Sequence, residues 1–273
     1  MTNGLKQGSV LSPLLFNIYL NELHNELTDA KIGCHVGGQC VNHFAYADDL
    51  AILAPSANAL NKLLLKCSNW AQGHYVVFST LKSVCMVCTT EGRLAIPPNI
   101  YLDDKLLVYV KSFKYLGHII CSNLRDEDDI NREIRNLYAR GNTIIRKFSF
   151  APVDVKCTLF KTFCYSLYSC ALWANARRAS LYKLNVCYNN IMRKLLNVPP
   201  WQSVRPLFAE LNIRSFGETI RNSCNSLLNR VSDSRNFLIE TLVASDARTL
   251  SIQWRNWERE LFVNIPNGVL PLY

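Results

Sequence analysis

Two hydrophobic periodicities alternate along roughly the first 121 residues of the chain. Apolar residues recur at helical spacing from Leu15 to Leu23 and from Leu60 to Trp70, which predicts two amphipathic helices. Ser12 and Ser56 stand where N-caps are expected, and Gly73 stands where the second helix should end. This part of the chain is therefore expected to contain packed helices.

Short apolar runs bounded by turn residues occupy the intervals around these helices, and such runs predict strands. We expect strands at Val41–Tyr46 and Leu50–Ala54 as the arms of one hairpin, at Tyr75–Phe78, at Val84–Cys88, at Asn99–Val110 as a second hairpin, and at Ser112–Ile120 as one further strand. The first part of the chain is thus predicted to be an antiparallel sheet with packed helices.

The pattern becomes helical from Asp126 onward. An acidic start, an apolar stripe that runs through Ile130, Ile134, Leu137, Ile144 and Phe148, and a basic end at Arg146-Lys147 predict one long helix. Further helices are expected at about 153–175 and 180–197, before Pro199-Pro200. The predicted class is α+β, with a mixed part at 1–121, a helical part at 122–200 and a mostly helical extension at 201–273.

The composition limits the classes of protein to which this chain can belong. Hydrophobic residues make up 49% of the 273 residues, which is ample for a buried core. No apolar run reaches the roughly 18 residues of a membrane span, and the N-terminus lacks the apolar core of a signal peptide. We therefore expect an intracellular protein without a membrane partner. The eleven scattered cysteines are expected to be reduced, mostly buried thiols.

Positive charge is concentrated in the middle of the chain. Residues 121–200 carry 13 Lys/Arg against 6 Asp/Glu, a surplus of 7, whereas the flanking segments each carry a surplus of 1. Such a segment suits a polyanionic partner, because phosphate neutralisation dominates affinity for nucleic acid. A solvated helix face would show the same charge pattern, so both interpretations remain open.

Asp48 and Asp49 lie between the arms of the first predicted hairpin, where carboxylates are otherwise rare. Mg2+ prefers oxygen ligands and usually binds through one or two carboxylates together with substrate phosphates, so this pair is a candidate metal site. A solvated turn is the alternative, since Asp favours turns. Asp103-Asp104, also between apolar arms and followed by Lys105, is interpreted as such a turn.

Four ordered segments resemble one family. Gly4 to Asn17 resembles the second polymerase motif of non-LTR retrotransposon reverse transcriptases, and Tyr46-Ala47-Asp48-Asp49 resembles their catalytic motif. Phe78-Ser79-x-x-Lys82-Ser83 is similar to the Phe-Asn-x-x-Lys-Ser element that follows, with Ser79 in place of Asn. Phe113 to Gly117 is similar to the primer-grip strand. The resemblance implies a partial palm at 1–121 and a thumb in the helices after 122.

The resemblance also implies a role for each matched residue. Asp48 would be a direct ligand of Mg2+, or of Mn2+ in its place, and Asp49 would bind the metal more weakly. Lys82 would protonate the leaving pyrophosphate. The positions implied to contact template or nucleotide are Lys6, Gln7, Gly8 and Tyr46, and those implied to grip the primer are Tyr115, Leu116 and Gly117. The implied partners are an RNA template, a DNA primer and deoxynucleoside triphosphates.

The thumb-like helices would follow the phosphates of a template–primer duplex. The basic residues assigned to this role are Arg132, Arg135, Arg140, Arg146, Lys147 and Lys156. The aromatic residues Tyr165, Tyr168 and Trp173 follow at helical spacing and are expected to pack in the core.

One departure from the family bears on activity. Family members carry, upstream of these segments, fingers and a first palm motif whose Asp completes a two-metal site, and we expect both to be missing from residues 1–273. Asp29 and Asp103-Asp104 are poor substitutes, so the chain alone is expected to be inactive. The alternatives are a non-enzymatic nucleic-acid-binding remnant and a decayed open reading frame. Nucleus and cytoplasm are the expected locations, and the oligomeric state is left open.

Overall fold

Helices and short strands both form in the computed structural model, which describes residues 8–89, 98–173 and 176–244, and the predicted mixture of helix and sheet is confirmed. None of the described helices combines the length and apolarity needed to cross a membrane. The chain divides into two compact units: the described residues up to Lys111, together with residues 241–244, form the first, and those from Ser112 to Glu240 form the second.

The described residues of the first unit form two helices and eight short strands. They are β1 (Cys34–Val36), β2 (Gln39–Val41), β3 (His43–Tyr46), β4 (Asp49–Ile52), β5 (Val84–Cys85), β6 (Tyr101–Leu102), β7 (Lys105–Leu106), β8 (Val108–Tyr109), α1 (Ser12–Asp29) and α2 (Ala57–Gly73). Strands β1–β2, β3–β4 and β6–β7 form antiparallel hairpins, whereas β5 and β8 pair in parallel. The two predicted hairpins are therefore present, and the glycine-containing segment before the first forms another.

The helix ends show which cap predictions hold. The Ser56 side chain accepts a hydrogen bond from the Ala59 N–H at 3.2 Å, and α2 ends at Gly73, as predicted. Ser12 is not the N-cap of α1 but its first residue, which corrects the prediction. A turn closed by the Ser12 N–H to the Ser9 carbonyl at 3.3 Å brings Leu11 into helical conformation one residue early.

The core of the first unit has two parts. One lies between α1 and α2 and is built from Leu23, Leu27, Leu63, Cys67, Trp70 and Ala71. The other joins α2 to the strands and is built from Leu64, Cys85, Ile100, Leu102 and Leu107. The predicted strand at 75–78 pairs with no strand in the described part of the chain. Val76 and Phe78 still pack on the core, while Tyr75 and Val77 face solvent.

In the second unit, the part of the chain that the structure describes forms one hairpin and the remaining helices. They are β9 (Ser112–Tyr115), β10 (His118–Cys121), α3 (Glu127–Lys147), α4 (Val153–Cys164), a 3₁₀ turn at Cys170–Leu172, α5 (Arg178–Leu195), α6 (Arg205–Glu210) and α7 (Phe216–Ser232). The single strand predicted at 112–120 is wrong, because the chain reverses at Leu116-Gly117. The helix predicted to reach about residue 175 ends at Cys164, and Ser169 adopts a left-handed φ of 60° beyond it.

Helices α3, α4, α5 and α7 enclose the core of this unit, with Phe160, Trp173 and Tyr188 among its largest buried side chains. Helix α3 buries Ile130, Leu137 and Ile144 as predicted, whereas Phe148 lies past its end and is exposed. Most of the eleven cysteines are buried with free thiols. Burial raises the pKa of the Cys67 and Cys164 thiols to about 12, which keeps them protonated and unreactive.

Candidate metal site and nucleic-acid-binding elements

The β3–β4 hairpin presents the paired carboxylates at its tip. Tyr46 and Asp49 are opposite each other at the end of the ladder, so Ala47 and Asp48 form a two-residue turn. Ala47 has a φ of 52°, in the left-handed region. An alanine there costs on the order of 1 kcal/mol, since its Cβ crowds the carbonyl oxygen. The tip is thus a tight turn that a glycine or an asparagine would form more easily.

The side chains at this tip face solvent. Asp48 and Asp49 are both exposed, and Tyr46 is 65% exposed. Within the described residues, neither carboxylate takes part in an ion pair with Lys, Arg or His. Two adjacent negative charges without a cationic partner are an accessible site for a metal ion.

Packing on one side holds the hairpin in place. Leu50 and Ile52 of β4 pack against the core between α1 and α2. At the base of the hairpin, the buried Asn42 side chain donates through Nδ2 to the carbonyls of Leu27 at 2.5 Å and Ile32 at 2.9 Å. Asn42 also accepts at its own carbonyl from the Leu53 N–H at 2.8 Å. Sequence reasoning missed this residue, although an amide inside an apolar run was the available signal.

The second acidic pair has a different local structure. Asp103 and Asp104 are the two turn residues of the β6–β7 hairpin, with φ values of 49° and 58°. This double left-handed turn favours Asn, Asp and Gly, so turn geometry alone accounts for both aspartates. At the first pair, by contrast, Asp49 belongs to a strand and the left-handed position is taken by Ala47. Turn preference therefore does not explain Asp49.

The donor set at the hairpin tip fits Mg2+ in part. No cluster of three or more His, Cys, Asp or Glu side chains suited to a metal occurs in the described segments. Asp48 and Asp49 offer oxygen ligands alone, as Mg2+ prefers, and phosphate oxygens of a substrate commonly complete such a shell. The site is therefore suited to a metal that arrives with, or is held by, a phosphate group.

The remaining residues predicted for the first unit are only partly described. Lys6 and Gln7 lie outside the described residues. Gly8 has a φ of 83° in the loop before α1, a conformation that favours glycine. Lys82 is exposed in a tight turn, where its N–H donates to the Ser79 carbonyl at 3.1 Å and the Ser83 hydroxyl donates to the same oxygen at 2.9 Å.

Tyr115, Leu116 and Gly117 lie in the second unit, at the reversal of the β9–β10 hairpin. Leu116 and Gly117 are the two turn residues, with φ values of 46° and 85°. Leu116 is 40% exposed. Tyr168 donates a hydrogen bond from its hydroxyl to the Leu116 carbonyl at 2.6 Å. The prediction that Tyr168 packs in the core is wrong, because this side chain is half exposed. Trp173 is buried, as predicted.

Half of the predicted phosphate-binding cations are committed elsewhere. Arg132 pairs with buried Asp129 and Glu133, Arg140 pairs with Glu133, and Lys156 is itself buried. A cation held by a buried carboxylate is not free to contact a nucleic-acid backbone. Arg135, Arg146 and Lys147 of α3 are exposed, so phosphate binding by these three stays a prediction.

Comparison with known proteins agrees with these features. Residues 1–120 match the family described as reverse transcriptase (RNA-dependent DNA polymerase). The chain is 25% identical over 259 residues to the RNA-directed DNA polymerase from mobile element jockey of Drosophila funebris, a match that covers 91% of this chain and 28% of that protein. It is 34% identical over 122 residues to a Pol polyprotein from the type-1 retrotransposable element R2 of Popillia japonica, covering 42% of this chain and 17% of that protein.

The acidic hairpin lies inside the segment, residues 1–120, that matches the reverse transcriptase family. The similarity to the jockey and R2 proteins supports a reverse transcriptase of the non-LTR retrotransposon type. The chain spans little more than a quarter of the length of the jockey relatives that it matches.

Proposed function

We propose that the β3–β4 hairpin carries catalytic carboxylates for RNA-directed DNA synthesis. The observation that supports this proposal best is the exposed Asp48-Asp49 at a hairpin tip, with no ion-pair partner among the described residues, inside the segment that matches the reverse transcriptase family. In this proposal residues 1–121 correspond to part of a palm, the helices within residues 122–200 to a thumb, and residues 201–273 to a C-terminal extension. The substrates are an RNA template, a DNA primer and deoxynucleoside triphosphates.

Each predicted residue has a role in this proposal. Asp48 and Asp49 hold Mg2+, or Mn2+, which when bound supplies charge stabilisation at the reacting phosphate and activates the primer hydroxyl. Lys82 delivers a proton to the leaving pyrophosphate. Tyr46 lies beside the primer end, while Lys6, Gln7 and Gly8 approach template and nucleotide. Tyr115, Leu116 and Gly117 support the primer, and Arg135, Arg146 and Lys147 bind phosphates.

We further propose that residues 1–273 alone are inactive. Two carboxylates without a third cannot clamp two metal ions on both sides of the reacting phosphate, and a loss of many orders of magnitude in rate follows. The described residues place no third acidic side chain with Asp48 and Asp49. The proposed location is the nucleus and cytoplasm, where such a template and primer meet.

Primer extension tests both statements. A DNA primer on an RNA template is incubated with the purified chain, Mg2+ and deoxynucleoside triphosphates, using Asp48→Ala and the matched control Asp103→Ala. We expect no extension by any of the three proteins. If the unchanged chain extends the primer, and Asp48→Ala abolishes this extension while Asp103→Ala preserves it, the proposed inactivity is refuted but the proposed catalytic site is supported. Extension that survives Asp48→Ala would refute the site itself.

A second candidate function is nucleic-acid binding without catalysis, and the exposed Arg135, Arg146 and Lys147 favour it. Binding through these residues weakens steeply with salt, because each neutralised phosphate releases counterions. Salt-dependent RNA binding that is lost when all three are changed to Gln, and is unaffected by Asp48→Ala with Asp49→Ala, is the result that supports this function.

A further inference from the structure

The turn at Leu116-Gly117 has a strained backbone. Both turn residues have positive φ, a conformation that two-residue hairpins usually assign to Asn-Gly or Gly-Gly. Leucine is disfavoured in the left-handed region because its Cβ crowds the carbonyl oxygen that follows, and such strain persists only where neighbouring structure holds it. The contacts that hold this turn therefore indicate how it is positioned.

Tyr168 contacts both residues of the turn. Its hydroxyl donates to the Leu116 carbonyl at 2.6 Å, across 52 positions of sequence. Its ring lies beside Gly117, where an added Cβ would be 3.0 Å from Cε1 and 3.4 Å from Cζ. Two features therefore favour glycine at position 117: its φ of 85°, and the Tyr168 ring in the space that a Cβ would need.

A buried carboxylate fixes the strand that leaves the turn. Asp129 of α3 is fully buried, and its Oδ1 accepts from the Ile119 N–H at 2.9 Å. Its Oδ2 lies 3.0 Å from the His118 Nδ1. The first two residues of β10, which directly follow Gly117, are therefore bound to one side chain of the longest helix in the described structure.

The same carboxylate connects to the segment that carries Tyr168. Oδ2 of Asp129 accepts from the Ser169 hydroxyl at 3.1 Å and from the Trp173 indole N–H at 2.8 Å. Arg132 donates to Asp129 from Nε at 2.6 Å, and its guanidinium lies 5.8 Å from the centre of the Tyr168 ring. We call Asp129, Arg132, His118, Ser169 and Trp173 the Asp129 cluster.

We propose that Tyr168, supported by the Asp129 cluster, is a positioning residue that holds the Leu116-Gly117 turn in the conformation that supports the primer end. This inference rests on the proposed function. Tyr168 is 51% exposed, so burial of its ring contributes little, and its hydroxyl is aimed at a carbonyl of the strained turn. Tyr168 thus constrains the turn from outside the hairpin. Such a constraint is needed where a loop must contact a substrate at a fixed position.

Hydrogen exchange tests the positioning directly. Tyr168→Phe removes one hydroxyl from a partly exposed ring, and a net hydrogen bond of about 0.5–1.5 kcal/mol corresponds to exchange that is roughly 2- to 12-fold faster at the amides of residues 114–119. Amides of β3 and β4 should not change. Tyr182→Phe, at a 68% exposed tyrosine on α5, is the matched control. Unchanged exchange at 114–119 in Tyr168→Phe overturns the inference.

Photo-crosslinking tests the link to the primer. A DNA primer with a photoreactive 3′-terminal nucleotide is annealed to RNA, and the fraction of crosslinks within residues 112–121 is measured for the purified chain. We expect at least a 3-fold lower fraction in Tyr168→Phe, with duplex affinity and the Tyr182→Phe fraction unchanged. Equal fractions in parent and Tyr168→Phe overturn the inference and leave the proposed function standing. A parent chain without crosslinks at 112–121 overturns the primer role of this turn and the inference together.

Discussion

At the scale of single residues, backbone conformation separates the two acidic pairs. Asp103 and Asp104 occupy both left-handed positions of their turn, where aspartate is well tolerated. At the other pair the left-handed position is held by Ala47, and Asp49 is a strand residue. Sequence reasoning distinguished the pairs by their neighbours, and the structure adds a physical reason: only the second pair is explained by its turn.

Asp129 gives a pH-dependent prediction. Burial opposes its ionisation, but hydrogen bonds from His118, Arg132, the Ile119 N–H and Trp173 outweigh burial and lower its pKa well below the ordinary value. A carboxylate with a lowered folded-state pKa contributes stability that is present above its unfolded pKa of about 3.9 and is lost as pH falls below that value. We expect urea unfolding of the second unit to require progressively less denaturant below about pH 4.

Two variants test this prediction. Asp129→Asn leaves Arg132 without its main partner, so at pH 7 it should lower the free energy of unfolding by about 3–5 kcal/mol and flatten the dependence on acid pH. Asp154→Asn, at an exposed residue in the first turn of α4, should change neither quantity measurably. An acid midpoint that is the same in the parent and Asp129→Asn would contradict the assignment.

At the scale of elements, local sequence signals set the limits of prediction. Helices α2 and α3 were predicted because Ser56, Gly73 and the apolar stripe of α3 are local signals. The β9–β10 hairpin was missed because Leu116-Gly117 is an unusual turn pair whose conformation depends on Tyr168, 52 positions away. Arg132 was predicted to bind phosphates, but it pairs with Asp129 instead. The prediction failed because charge in the sequence does not reveal that the Asp129 carboxylate is buried.

The contact between α3 and α5 gives a prediction about packing. Gly141 lies in α3, and a Cβ there would be 2.6 Å from Cγ2 of Ile191. Alanine is the better helix former by about 1 kcal/mol, but overpacking of a core typically costs about 1–3 kcal/mol. We therefore expect Gly141→Ala to destabilise the second unit in urea unfolding, in spite of its higher helix propensity.

Rescue and control variants decide between packing and propensity. Changing Ile191→Val in the Gly141→Ala background removes part of the obstruction, so the cost of Gly141→Ala should be smaller there than with Ile191. Gly73→Ala, at the end of α2 where no atom lies within 4 Å of an added Cβ, should be neutral or slightly stabilising. Equal effects of the two glycine substitutions would show that close packing at Gly141 is unimportant.

At the scale of the whole molecule, the residues just before α1 and the first half of that helix expose apolar surface. Leu11, Leu14 and Ile18 are each about 60% exposed, at 61%, 58% and 62%, and Val10 is 94% exposed. Exposed apolar patches of this kind favour association. We expect the purified chain to self-associate at micromolar concentration, as measured by sedimentation velocity.

Charge substitutions test the source of that association. Leu14→Lys with Ile18→Lys removes apolar area and adds charge, so it should shift the chain toward monomer. Asn17→Lys adds charge at an exposed position of the same helix without removing apolar area, and it should have a much smaller effect. A parent chain that sediments as a clean monomer contradicts the prediction.

The central claim is that Asp48 and Asp49 form a metal site, whereas Asp103 and Asp104 form only a turn. Mn2+ is a paramagnetic substitute for Mg2+, and it broadens amide resonances near the ion that it marks. The most direct measurement is therefore an Mn2+ titration of the isotopically labelled chain, with Asp48→Asn and Asp103→Asn as matched variants.

We predict that resonances of residues 46–50 broaden at lower Mn2+ concentration than those of residues 101–106, and that Asp48→Asn removes this difference while Asp103→Asn preserves it. Equal broadening at the two hairpins of the parent chain, or selective broadening at 46–50 that survives Asp48→Asn, would contradict the account.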